Sequence, residues 1–105
     1  MRVEFTDSAK ADLHELRYYL KKCKPTGTWQ SVKEQLQKQL AHLSQFPDAG
    51  SVPEELAEYA EGYRQILTNQ QRLIYRVKGD TLYVHVICGQ VQDLQEVLIK
   101  RLTRP

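Results

Sequence analysis

Several kinds of protein are excluded by what this 105-residue chain lacks. Hydrophobic residues make up 41% of it, but they never form the run of about 18 that a membrane-spanning helix needs. The N-terminus, MRVEFTDSAKADL, has no apolar segment of the kind found in secretory signals, so we expect a cytoplasmic protein with no membrane partner. The length predicts a single domain over residues 1–105, large enough to form a core without disulfides.

Cysteine and histidine are too scarce and too dispersed to indicate a metal site or a disulfide framework. Cys23 and Cys88 are the two cysteines, no CxxC pair occurs, and the three histidines fall in separate parts of the chain. We expect reduced thiols, no metal and no cofactor. The spacings also give no Gly-rich phosphate loop, no paired-carboxylate motif and no Ser/His/Asp or Cys/His triad.

The formal net charge of +2 is unevenly distributed. Residues 1–61 carry 8 Lys/Arg and 10 Asp/Glu, a balance of −2, whereas residues 62–105 carry 7 and 3, a balance of +4. The two balances sum to the +2 of the whole chain. A basic C-terminal half is typical of a surface that meets nucleic acid or an acidic protein.

Two amphipathic helices are predicted after a short first strand over residues 2–5. Thr6 is the expected N-cap of a helix over residues 7–23, and Thr28 that of a helix reaching about residue 45. Their leucines recur at spacings of three and four, so each helix has one apolar face. The short Lys-Pro-Thr-Gly link predicts an antiparallel helical hairpin that needs a sheet to cover.

Three strands and a closing helix are predicted for the rest. The strands span about 62–68, 71–77 and 81–88, and the helix spans 91–102. The order β-α-α-β-β-β-α predicts an α+β fold with the hairpin packed on one face of an antiparallel sheet. Arginines inside the strands predict a second face that looks at water or at an anionic ligand.

Four segments in order resemble the RelE/ParE superfamily of type II toxin–antitoxin toxins, and together they cover nearly the whole chain. They are VEFTDSAKADLHEL, LAHLSQFPDAG, GYRQILTNQQRLIYRVKGDTLYVHVI and GQVQDLQEVL. The resemblance implies a shared fold but not a shared target. RelE-like members cut mRNA in the ribosomal A site without a metal, ParE-like members poison DNA gyrase, and both are neutralised by an antitoxin that wraps around the toxin.

The resemblance extends to one of the functional residues of RelE-like enzymes and not to the others. Arg72 matches the arginine with which RelE-like enzymes hold the scissile phosphate. The positions of their second arginine and their tyrosine hold Gln92 and Leu98, which removes a phosphate-binding cation and a hydroxyl. Of the His-Gly-x-Arg-Asp pattern usual in ParE-like members, Gly89 and Asp93 are present and the His and Arg are not.

The candidate site residues have structural alternatives. Arg72 and Arg76 share one strand face and could contact phosphate or carboxylate groups, or form cross-strand pairs on a solvated face. His85, which would share a face with Tyr83 and Ile87, could be a general base or a packing histidine.

Other basic residues are candidates for binding. Arg64 could bind a partner or fix a loop carboxylate such as Glu58 or Glu61. Lys100 and Arg101 in the basic C-terminal segment could contact nucleic acid, gyrase or an acidic antitoxin segment, or form a mobile tail.

Three functions follow from these observations. The first is a ParE-like toxin that binds DNA gyrase without chemistry of its own. The second is a ribosome-dependent mRNA endoribonuclease that uses Arg72, with Arg64 or Arg76 and His85 in support. The third is a non-toxic member of the family that binds an antitoxin. The missing arginine and tyrosine favour the first.

Overall fold

A computed structural model of the chain describes residues 1–56, 62–90, 96, 97 and 101. Within these residues the predicted α+β order is confirmed as far as the last strand. The elements are β1 Arg2–Phe5, α1 Asp7–Cys23, α2 Thr28–Gln45, a 3-10 turn at Glu54–Leu56, β2 Tyr63–Leu67, β3 Gln71–Lys78 and β4 Thr81–Gly89. The helix predicted over residues 91–102 lies largely outside the described residues.

The two helices begin in different ways. The Thr6 hydroxyl accepts a hydrogen bond from the Ala9 amide at 3.1 Å, as predicted for the N-cap of α1. Thr28 was the wrong choice for the cap of α2, because Gly27 holds that position with a φ of 93° and no side chain caps the helix. Only glycine adopts this left-handed conformation without strain, and its position in the link lets the chain reverse between the helices.

The four strands lie in the order β1-β4-β3-β2. The predicted antiparallel pairing holds for β2 with β3 and for β3 with β4, whereas β1 runs parallel to β4. Parallel pairing needs a long connection between the two strands, and the helical hairpin lies in the connection between β1 and β4. The two long central strands, β3 and β4, therefore carry most of the side chains that a site could use.

Both faces of the sheet are covered by apolar side chains. The hairpin packs on one face over the main core, whose largest fully buried members on the strands are Leu73, Tyr75, Leu82 and Val84. The opposite face holds a smaller cluster, which consists of Leu56, Tyr63, Ile74, Val86 and Cys88. The expectation of an arginine face open to water was therefore wrong at its centre, since Ile74 between the two arginines is fully buried.

A β-bulge in β4 changes which residues share a face. Ile74 of β3 pairs with Val86 and Tyr75 pairs with Val84, so His85 is the extra residue between them. Ile87 consequently packs in the main core, while the His85 ring contacts Tyr63 on the opposite face. The predicted alternation of His85 with Ile87 on one face is therefore wrong.

Candidate functional site

Arg72 is held by two side chains of its own chain. Its Nη1 and Nη2 donate to the two carboxylate oxygens of Glu55, at 2.8 and 3.2 Å, and its Nε donates to Oε1 of Gln65 at 3.1 Å. Only 12% of the Arg72 side chain is exposed. A phosphate could reach this guanidinium only after Glu55 had left, because a bidentate carboxylate occupies the fork that phosphate would use.

The charges around Arg72 compensate one another. The hydrogen bond from Arg72 holds the pKa of the Glu55 carboxyl below its usual range, so the pair is fully ionised at neutral pH. Cys88 lies opposite Arg72 on β4, and burial raises the pKa of its thiol despite the nearby guanidinium. The thiol is therefore protonated and unreactive at neutral pH.

Arg76 and His85 meet through Tyr63 on the outer face of the sheet. The guanidinium carbon of Arg76 lies 5.4 Å from the centroid of the Tyr63 ring, and the His85 ring meets that ring edge-on at 5.2 Å. Burial, followed by the charge of Arg76, lowers the pKa of His85. His85 is thus a neutral, packed ring at pH 7, and the contacts found for Arg72 do not include it.

Arg64 fixes a loop, as one of its two sequence interpretations predicted, but through different partners. Its guanidinium donates to the carbonyl oxygen of Gly50 at 2.8 Å and to that of Asp48 at 3.4 Å, and it lies 3.9 Å from the Asp48 carboxylate. The glutamates proposed for it, Glu58 and Glu61, lie outside the described residues.

The segment Phe46–Gly50, here called the Phe46 loop, is held from beneath by a second buried group. The Tyr75 hydroxyl donates to the Pro47 carbonyl at 2.7 Å and accepts from the Gly50 amide at 3.0 Å. Burial raises the pKa of Tyr75, so the hydroxyl keeps the proton that it donates. A Cβ at Gly50 would come within 2.6 Å of both the Gln65 carbonyl and the Tyr75 hydroxyl, so this close approach requires glycine.

The Phe46 loop presents an aromatic ring to solvent. Phe46 is 56% exposed, and its ring packs against His42 of α2 with the centroids 5.2 Å apart. Arg64 and Tyr75 thus fix the backbone that follows this exposed ring. Sequence analysis included Phe46 in the segment LAHLSQFPDAG but did not single it out, because the exposure of one phenylalanine at the end of an apolar helix cannot be read from the sequence.

Arg101 is tied to α1 and to the bulge, a role that sequence analysis missed. It forms an ion pair with Asp12 and donates to the carbonyl oxygen of His85 at 2.9 Å, while the other Asp12 oxygen accepts from the Ile87 amide at 3.0 Å. Its charge is thus already compensated. Lys100, predicted beside it, lies outside the described residues.

The part of the chain that the structure describes offers neither a metal site nor a membrane-spanning helix. No group of three His, Cys, Asp or Glu side chains there could hold a metal ion. No helix there is long and apolar enough to cross a membrane.

Comparison with protein families gives one match. A model of the ParE toxin of type II toxin–antitoxin systems, parDE, matches residues 3–98, which is most of the chain. No curated protein matches the sequence.

Solved structures of bacterial toxins share the fold. The chromosomal ParDE system of P. aeruginosa matches at a TM-score of 0.64 and 23% identity, over 85% of this chain and 95% of that one. The isolated RelE toxin of E. coli matches at 0.59 and 17%, over 96% and 97%. The toxin–antitoxin complex RelBE2 of Mycobacterium tuberculosis matches at 0.58 and 25%, over 85% and 96%. The architecture described above is common to all three.

Proposed function

The chain belongs to the ParE toxin family of type II toxin–antitoxin systems, and we propose that it inhibits growth by binding DNA gyrase, without chemistry of its own. The family match supports the role of toxin. The choice of gyrase over the ribosome rests on the state of the residues that chemistry would need.

The observation that carries this proposal is the internal pairing of Arg72. Cleavage of RNA by in-line attack needs a cation at the scissile phosphate and a group that moves a proton. The cation is bound by Glu55 and Gln65, and the His85 ring packs against Tyr63, outside the contacts of Arg72. The positions aligned with the second arginine and the tyrosine of RelE-like enzymes hold Gln92 and Leu98. A protein that acts by binding needs none of these groups.

We place the gyrase contact on the Phe46 loop. A protein interface takes most of its binding energy from a few large side chains that are rigid before the partner arrives. Phe46 is a large and exposed side chain, and Arg64 and Tyr75 fix the loop behind it. The basic residues Arg76, Lys100 and Arg101 are not needed for this contact.

A cognate antitoxin is the second proposed partner. The solved relatives include a ParDE system and a complex named RelBE2 toxin–antitoxin, which supports the same partnership here. Arg76 is exposed. We propose that Arg76 and Lys100 bind acidic residues of an antitoxin segment. This assignment leaves the half-buried pair of Arg72 and Glu55 intact in the complex.

One observation favours the ribonuclease as a second candidate. Arg76, Tyr63 and His85 bring a guanidinium, a phenol and an imidazole together on one face. In that function the three side chains would contact RNA, with Arg72 released from Glu55. The substitution Arg76→Ala would then abolish toxicity, whereas gyrase binding through the Phe46 loop predicts that toxicity persists.

The test is inhibition of DNA supercoiling by purified gyrase, with the wild type and two variants. Phe46→Ala removes the exposed ring, and Leu67→Ala is the matched control because Leu67 is an exposed apolar residue on β2. We expect inhibition by the wild type and by Leu67→Ala, and a loss of at least about tenfold in Phe46→Ala, the effect of one hot-spot residue. Normal supercoiling in the presence of excess wild-type protein would contradict the proposal.

A further inference from the structure

A row of exposed cations runs along α1, about 90° round the helix from its buried residues Ala9 and Leu20. Lys10, Arg17 and Lys21, here called the α1 basic row, are all exposed. With 3.6 residues per turn, the three project within about 40° of one another. Composition did not predict this row, because it lies in the half of the chain whose net charge is −2.

The row is not neutralised by the chain itself. The ion pairs among the described residues involve Arg2, Arg64, Arg72 and Arg101, and none involves the α1 basic row. Lys22 lies about 100° further round the helix than Lys21, outside the row, and donates to the Tyr18 hydroxyl at 3.2 Å.

Two of the three acidic residues of α1 lie away from the row. Asp12 is bound to Arg101 and to the Ile87 amide, and Glu15 lines the cleft beside them. Asp7 is one turn before Lys10, in the first turn of the helix, where its charge suits the N-terminus. The row therefore faces solvent with Asp7 as its one acidic neighbour on α1.

We propose that the α1 basic row binds the phosphate backbone of duplex DNA, independently of sequence. At a rise of 1.5 Å per residue, the row from Lys10 to Lys21 is about 16 Å long and straight, so it suits a rigid and uniformly charged partner. Phosphate contacts of this kind need neither a pocket nor base readout. The inference rests on the proposed function in one respect, namely that a gyrase-bound toxin lies next to duplex DNA.

Two other polyanions fit the row less well. An acidic protein segment would need apolar anchors beside the charges, and the one large apolar group there is the Tyr18 ring, which is 68% exposed. Single-stranded nucleic acid is bound by bases stacked on open aromatic faces. The Lys22 ammonium lies 5.4 Å from the centroid of the Tyr18 ring and covers one of its faces. Duplex DNA requires neither feature.

The test measures binding of the full-length protein to a short labelled duplex of mixed sequence by fluorescence anisotropy, with no gyrase present. The double variant Arg17→Gln/Lys21→Gln removes two cations of the row. Lys33→Gln/Lys38→Gln is its matched control, because it removes two exposed cations of the other helix and lowers the net charge equally, from +2 to 0. Glutamine preserves helix propensity in both variants.

The expected result is a change in salt dependence. Three phosphate contacts give a slope of about −2.7 in log affinity against log salt, and one gives about −0.9. Raising salt from about 50 to about 200 mM should therefore weaken the wild type about 12-fold more than Arg17→Gln/Lys21→Gln. The control Lys33→Gln/Lys38→Gln should keep the wild-type slope.

Three results would overturn the inference: no binding of duplex by the wild type at about 50 mM salt, equal losses in both double variants, or tighter binding of single-stranded RNA of the same length. Failure of the proposed function is distinguishable from these, because it appears in the supercoiling assay through Phe46→Ala. A toxin that binds gyrase but not DNA would still inhibit supercoiling and would show no binding to the labelled duplex.

Discussion

Glu55 and Arg72 form a two-point ion pair between the 3-10 turn and the start of β3, with Nη1 to Oε2 at 2.8 Å and Nη2 to Oε1 at 3.2 Å. The side chains are 30% and 12% exposed, so the pair is largely shielded from water. The arginine that could have contacted a phosphate therefore has a structural role. The interpretation of the chain as a binding protein depends on this pair.

Glu55→Gln should lower the free energy of unfolding by about 1 to 2 kcal/mol, as expected for a charge-assisted contact that is partly exposed. Urea unfolding at pH 7 measures this difference. Glu4→Gln is the control, since the pair of Glu4 with Arg2 is exposed, and its cost should stay below about 0.5 kcal/mol. Equal effects of the two substitutions would mean that the buried pair contributes no more than a surface pair.

The contribution of Glu55 should vanish in acid. Its folded-state pKa lies below the ordinary glutamate value of about 4.3, so the unfolded chain takes up the proton first as the pH falls. The stability that the pair adds is complete above the unfolded-state pKa and is lost as the pH falls through the folded-state pKa. The difference between wild type and Glu55→Gln should thus shrink between about pH 5 and pH 3. A difference that stays constant over this range would be inconsistent with the ion pair.

His85 should titrate below the ordinary histidine value of about 6.5, and Arg76→Gln should raise its pKa. Burial is the larger cause of the lowered pKa and stays in the variant, while the repulsion by the Arg76 charge is removed. NMR titration of the His85 ring protons measures this pKa in the wild type and in Arg76→Gln. Arg2→Gln, which removes a distant exposed charge from β1, should leave the midpoint unchanged. No response to Arg76→Gln would show that the two groups do not interact.

Gly50→Ala should destabilise the protein by about 1 to 3 kcal/mol, because the added Cβ would overlap the Gln65 carbonyl and the Tyr75 hydroxyl. Gly79→Ala is the comparison. It meets no atom within 4 Å, but a φ of 64° should cost about 1 kcal/mol through the backbone alone. Thermal unfolding ranks the two variants. If Gly50→Ala also weakens the supercoiling inhibition per folded molecule, the rigidity of the Phe46 loop matters for binding.

Sequence patterns predicted the elements of the fold because those depend on local periodicity. The spacing of leucines predicted α1 as an amphipathic helix, and the predicted bounds and Thr6 cap were confirmed. The parallel pairing of β1 with β4 had no local signal, since it depends on where the hairpin delivers the chain. The bulge at His85 is likewise a property of the pairing between β3 and β4.

Side-chain partners were the hardest feature to predict. Glu55 and Arg72 are 17 positions apart and Asp12 and Arg101 are 89 apart, so each pair exists only in the folded chain. An arginine in a strand predicts an anion nearby, but it does not distinguish a ligand from a carboxylate of the same chain. That distinction decided how Arg72 and Arg101 are interpreted.

The central claim is that the chain stops growth by binding gyrase, and pulse-labelling after induction of its gene alone tests this most directly. DNA and protein synthesis are followed in the same culture, with Phe46→Ala as the inactive comparison and Arg76→Ala as the active one. Gyrase binding predicts an early fall in DNA synthesis in the wild type and in Arg76→Ala. An early fall in protein synthesis, abolished by Arg76→Ala, would contradict the claim and indicate cleavage of mRNA on the ribosome.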